Sequence, residues 1–118
     1  MAVISQITTN EELDELLQSP EPVLLLKHST ACPSSAYAKS VFTEFSSDHP
    51  DSAVYAMVLV IESRPLSNAV ADRLSVRHQS PQVVLVEGGQ AAWHASHYSI
   101  SNENLEQALL DFCQAGGG

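Results

Sequence analysis

The run "VLLLK", Val23 to Lys27, constrains this chain more than any other stretch. It is short, apolar and without polar alternation. A strand open to water on one face alternates, so this run reads as a central strand covered on both faces. Such a strand needs neighbours, and the rest of the chain supplies them. "AVYAMVLVI", Ala53 to Ile61, is a second buried run. "QVVLV", Gln82 to Val86, followed by Glu-Gly-Gly-Gln and then Ala91 to His94, has the pattern of a hairpin.

Helical signals fill the gaps. In "TTNEELDELL" Thr9 can cap a helix with Glu12 as the reciprocal partner of a capping box, and Leu13, Leu16 and Leu17 form its apolar stripe. "SPEP" ends it. A second helix opens at Cys32-Pro33, where proline suits a first-turn position with no N–H partner to lose. Tyr37, Val41 and Phe45, with Ala38 and Phe42 beside them, point it at the sheet. "SRPLSNAVADRLSV" reads as a short helix with Val70 and Leu74 inward. "SISNENLEQALLDFC" reads as the last helix, capped by Ser101 and pinned by Ile100 against Leu105. The order is α, βαβ, α, β-hairpin, α. A right-handed crossover joined to a hairpin gives an α/β domain with one mixed sheet of four or five strands and helices on both faces. "VISQI" can add a short edge strand. Residues 1–115 are expected to form one domain, with 116–118, the closing "GGG", as a disordered tail.

Composition narrows the functions. The 118 residues carry a formal net charge of −9, which argues against nucleic acid and anionic membranes as partners. No apolar run approaches the roughly 20 residues that span a bilayer. The opening "MAVISQITTNEELDE" lacks the basic start of a signal peptide, so a cytoplasmic address is expected, where thiols stay reduced. The two cysteines do not make a disulfide scaffold. The five histidines suggest no metal: His94 and His97 stand without a cysteine or carboxylate at ligand spacing.

The chemistry gathers at "KHSTACPSS", residues 27–35. A cysteine at a helix N-terminus meets unpaired N–H groups and the positive end of the dipole, which favour the thiolate. Pro33 starts the helix abruptly and puts the Cys32 sulfur at its tip. Ser35 stands where a dithiol centre has its second cysteine. Its hydroxyl is expected to face the sulfur, stabilising a thiolate without resolving a mixed disulfide. His28 can stabilise the thiolate, shuttle a proton, or simply anchor the loop. Ser80-Pro81, immediately before the hairpin, is expected to face Cys32, with the Ser80 backbone free to pair with a substrate backbone. Lys27 and Arg77 border these segments and could form a cationic rim. Cys113 falls on the inner stripe of the last helix and reads as a buried filler.

The order of elements, the Cys-Pro helix start and "SPQVVLV" before "EGGQ" resemble the thioredoxin superfamily over nearly the whole chain. "LLLKHSTACPSS" resembles the YtxJ-type monothiol bacilliredoxins, with their Lys-His-Ser stretch and Thr-Cys-Pro-Ile-Ser motif. Here Ala31 replaces the threonine and Ser34 the isoleucine. The resemblance implies a thioredoxin-like fold and a cis-proline at Pro81. It implies an oxidoreductase whose Cys32 removes bacillithiol from S-bacillithiolated client proteins. Bacillithiol is then a thiol co-substrate, with no bound cofactor. Two alternatives stand beside it: a redox-inert thioredoxin-like binding module, and a glutaredoxin-like monothiol protein acting on another small thiol. Iron–sulfur binding is weaker still, since Cys-Pro-Ser-Ser departs from the Cys-Gly-Phe-Ser of single-cysteine glutaredoxins. Oligomeric state is left open.

Overall fold

The apolar run at Val23 does take the middle of a sheet. In the computed structural model, which describes residues 4–113, five strands lie in the order β1-β3-β2-β4-β5. They are β1 (Ile4–Gln6), β2 (Val23–His28), β3 (Val54–Leu59), β4 (Gln82–Glu87) and β5 (Gln90–Ser96). β1 and β2 run parallel to β3, whereas β4 runs antiparallel to β2 and β5 to β4. The helices are α1 (Asn10–Leu17), α2 (Pro33–Asp48), α3 (Arg64–Leu74) and α4 (Asn102–Ala108). A 3₁₀ turn, His97–Ser99, precedes α4, and a π turn, Leu109–Cys113, follows it. The expected tail at 116–118 and the Cys113 side chain lie outside the described residues.

Every residue of β2 is buried because its two faces meet two separate cores. Successive strand side chains alternate between faces. Leu24 and Leu26 join Tyr55, Val83 and Leu85 against Ala38, Phe42 and Phe45 of α2 and Leu105 of α4. Val23 and Leu25 join Ala56, Val58, Val84 and Val86 against Leu13 of α1 and Leu66, Val70 and Leu74 of α3. Lys27 therefore continues the α1–α3 face and His28 the α2 face.

The local signals act as the sequence indicates. Thr9 accepts from the Glu12 N–H at 3.2 Å while Glu12 reaches back to the Thr9 N–H, closing the capping box. Ser101 caps α4 through the Asn104 N–H, and Ile100 and Leu105 are fully buried in one core. The hairpin turns through Gly88 and Gly89, with φ of 62° and 79°. Those values suit a two-residue turn that matches strand twist. One helical stripe differs from expectation. Tyr37 is 50% exposed, with its ring 5.9 Å from that of the exposed Tyr98. The buried face of α2 runs through Ser35, Ala38, Phe42, Phe45 and Ser46, one position round from the Tyr37–Val41 row. The second apolar run is strand only over Val54–Leu59.

Candidate active site

Cys32 is the N-cap of α2. Its backbone is extended (φ −119°, ψ 123°) and Pro33 opens the helix behind it. The Cys32 carbonyl accepts from the N–H groups of Ser35 and Ala36, each at 3.1 Å, which ties the residue to the first turn. The thiol is half-buried. Its sulfur lies 3.0 Å from the Ser34 hydroxyl. That hydroxyl, followed by the backbone N–H groups of Ser35 and Ser34, holds the thiol below its ordinary range. Hydrogen bonds to the charged form favour it. The result is a cysteine with more thiolate at neutral pH, and the thiolate is the nucleophile.

The hydroxyl at the sulfur thus belongs to Ser34, not to Ser35 as the motif suggests. Ser35 is fully buried. Its Oγ accepts from the Ser29 N–H at 2.8 Å and lies 2.7 Å from Nδ1 of His28. As the third residue of a helix lying on the sheet, it points inward, while Ser34 at the second position points across the helix tip. Ser35 acts on the sulfur through its backbone. Its side chain clamps the loop between β2 and α2. Burial, then the charge of Lys39, keeps His28 below the usual histidine range. A neutral ring and an N–H already donated to Oγ leave the Ser35 O–H to donate to Nδ1. His28 is in this structure an anchor of that loop.

Gln82 pairs with Lys27 across β2 and β4, so the segment preceding β4 lies at the sheet end from which the Cys32 loop departs. The Ser80-Pro81 bond there is cis. The Pro81 carbonyl accepts from the His97 N–H at 3.1 Å, joining this segment to the turn that carries Tyr98. The Ser80 hydroxyl is buried and has no hydrogen-bond partner among the described residues.

The cationic rim is not built as expected. Lys27 is 0% exposed, because strand alternation turns it under the sheet toward the α3 side. Its Nζ lies 2.7 Å from Nδ1 of His78, a residue the sequence reading passed over. Burial pushes the ammonium down from 10.5 to about 8. The Arg77 side chain is exposed, and its carbonyl accepts from Gln82 Nε2 at 3.0 Å. Arg73 pairs with Asp14 away from this end. Among the described residues no group of three or more His, Cys, Asp or Glu is placed to hold a metal, and no helix is long and apolar enough to cross a membrane. A closer reading of the motif could have found Ser34 from its first-turn position. Nothing local in the sequence marks His78 as the partner of a lysine so far back in the chain.

A family model described as "Monothiol bacilliredoxin BrxC" matches residues 5–105. Among solved structures, a candidate oxidoreductase with a thioredoxin fold is similar at 28% identity and a TM-score of 0.84, covering 90% of this chain and 93% of that one. Thioredoxin from Malassezia sympodialis is similar at 16% identity and a TM-score of 0.78, covering 94% and 91%. Mitochondrial thioredoxin 3 from Saccharomyces cerevisiae is similar at 18% identity and a TM-score of 0.75, covering 92% and 95%. The last two likenesses speak to the fold alone.

Proposed function

Because the chain belongs to the monothiol bacilliredoxin family, with the fold of a thiol oxidoreductase, we propose that it removes bacillithiol from S-bacillithiolated proteins. The Cys32 thiolate attacks the bacillithiol sulfur of the client's mixed disulfide. That S–S bond breaks, a new one forms between Cys32 and bacillithiol, and the client cysteine leaves as a thiolate that takes up a proton. A second bacillithiol, as thiolate, then attacks the bacillithiol sulfur on Cys32. Bacillithiol disulfide departs and the Cys32 thiolate returns; an outside dithiol reductase could perform the same step. The cytoplasm is the proposed setting, since its reducing thiols sustain the cycle.

One observation carries this reading. The sulfur sits half-exposed at a helix tip, with a hydroxyl and two N–H groups favouring its anion, while the residue at the usual resolving position is a serine turned into the core. Such a site attacks disulfides but leaves resolution to another thiol. The Ser80-Pro81 segment at the same end of the sheet gives a client backbone a place to pair. A redox-inert binding module would have no use for a depressed thiol pKa.

The test is intact-mass analysis after mixing the protein with a bacillithiolated client. Transfer of one bacillithiol to wild type and to Cys113→Ser, with none to Cys32→Ala, is expected. No transfer to wild type, or equal transfer to Cys32→Ala, would refute the reading. A pH series of alkylation rates checks the thiol itself; a midpoint at the free-cysteine value would favour the inert module.

A further inference from the structure

Lys27 is electrostatically unfinished. It is a fully buried ammonium whose hydrogen-bond partner among the described residues is a neutral ring nitrogen, 2.7 Å away on His78. The one ion pair among the described residues, Arg73 with Asp14, lies elsewhere. Buried charges are ordinarily paired, because an unpaired one is costly. Here, in a chain of net charge −9, no carboxylate among the described residues pairs with it. The charge of Arg64 also reaches this ring: burial first, then Lys27 and Arg64, hold His78 below the ordinary histidine range.

The ring is also oriented. An ammonium has only donors, so His78 Nδ1 must accept from it. The neutral ring then carries its proton on Nε2, at the opposite edge. His78 is an exposed residue, and its Nε2 makes no hydrogen bond among the described residues. Its place relative to Cys32 follows from the sheet. His78 precedes Ser80-Pro81 by two residues, Lys27 pairs with Gln82, and Arg64 opens α3 just beyond the end of β3. The cluster therefore lies at the sheet end that carries the Cys32 loop.

We propose that His78 and Arg64, backed by Lys27, form a carboxylate subsite at the sheet end that carries the reactive thiol, with Nε2–H and the guanidinium as donors. This rests on the proposed disulfide exchange at Cys32 and adds to it a basis for selecting the leaving or attacking partner. The carboxylate comes either from the small thiol of the mixed disulfide or from an acidic side chain of the client. Lys27 touches no ligand; it is a positioning residue that sets the tautomer and supplies the field.

The test compares single-turnover rate constants for three mixed disulfides: bacillithiol on a neutral peptide, 2-mercaptoethanol on the same peptide, and 2-mercaptoethanol on an aspartate-bearing peptide. For H78Q and R64Q the rate ratio of a carboxylate-bearing substrate to the neutral one should fall about ten- to a hundredfold, the worth of one charge-assisted hydrogen bond. A fall in the bacillithiol arm assigns the carboxylate to the small thiol; a fall in the aspartate arm assigns it to the client. R73Q, which removes a charge away from this cluster, should leave both ratios unchanged. In ¹⁵N spectra His78 should be the Nε2–H tautomer, with both tautomers present in K27M. Unchanged ratios in both arms for H78Q and R64Q, while Cys32 still reacts, would overturn the subsite. Failure of Cys32 to react with any of the three would instead overturn the exchange reading on which it rests.

Discussion

Replacing Lys27 by methionine should stabilise this protein while stripping it of a charge near its reactive site. The lysine is 0% exposed. Burial brings its pKa from 10.5 to about 8, a fall that corresponds to about 3 kcal/mol. The folded-state value lies below the unfolded one. This stability is therefore fully present above pH 10.5 and lost as pH falls through about 8. At pH 7 the wild type bears the whole cost. Methionine keeps the length and apolar stem of lysine without the charge. It also removes the hydrogen bond to His78, whose exposed ring can turn to water, at about 1 kcal/mol. The net gain at pH 7 is about 2 kcal/mol, or roughly 8 °C in Tm for a domain of this size. Urea unfolding of both proteins at pH 7 and pH 10 measures it. The gain should vanish at pH 10, where the wild-type lysine is neutral in the fold. A K27M protein less stable than wild type by more than about 1 kcal/mol at pH 7 would refute the reasoning. So would a gain of equal size at both pH values.

The two serines behind Cys32 should separate cleanly. S34A should raise the thiol pKa, read from alkylation rates against pH, with little change in stability. S35A should cost about 2 kcal/mol, since it leaves Ser29 N–H and His28 Nδ1 without their buried partner; equal stability losses in the two variants would contradict the assignment. Though His78 is exposed as a residue, desolvation of its ring and the charge of Lys27 lower its pKa, so the stability tied to its neutral form is present above the ordinary histidine value near 6.5 and lost as pH falls through the depressed one. H78Q should accordingly lose less stability than wild type between pH 7 and pH 5, measured by urea titration; parallel losses would count against it. In the hairpin, a Cβ on Gly89 would sit 3.1 Å from the Leu17 carbonyl, whereas one on Gly88 meets nothing within 4 Å. G88A should cost about 1 kcal/mol for its left-handed backbone, and G89A about 2 kcal/mol or more; the reverse order in unfolding midpoints would show the close approach to be absent.

Local rules were enough for much of the fold. Thr9 with Glu12, Ser101, the paired glycines and Cys32-Pro33 each act within a few residues, so their geometry follows from the chain nearby. Val23 to Leu26 announced a strand covered twice, because only such a strand tolerates apolar residues on both faces. The helix phase was harder. Tyr37, Val41 and Phe45 share a row with spacing four, as do Ala38 and Phe42, and the sequence does not say which row meets the sheet. Packing chose Ala38, Phe42 and Phe45, leaving Tyr37 beside Tyr98 at the surface. That choice also turned Ser35 inward and left Ser34 at the sulfur.

What the sequence determined by itself was the kind of chemistry: one cysteine at the start of a helix, a proline behind it, and no second sulfur at the resolving position. Those features act through adjacent backbone groups, and adjacency is what a sequence records. Which hydroxyl meets the sulfur depends on how far α2 is rotated against β2. Whether a lysine at a strand end lines a rim or lies beneath the sheet depends on the parity of a strand held from both sides. His78 reaches Lys27 only because β2 and β4 are neighbours. Such pairings are set by the burial of two cores at once, and no single stretch of the chain contains them.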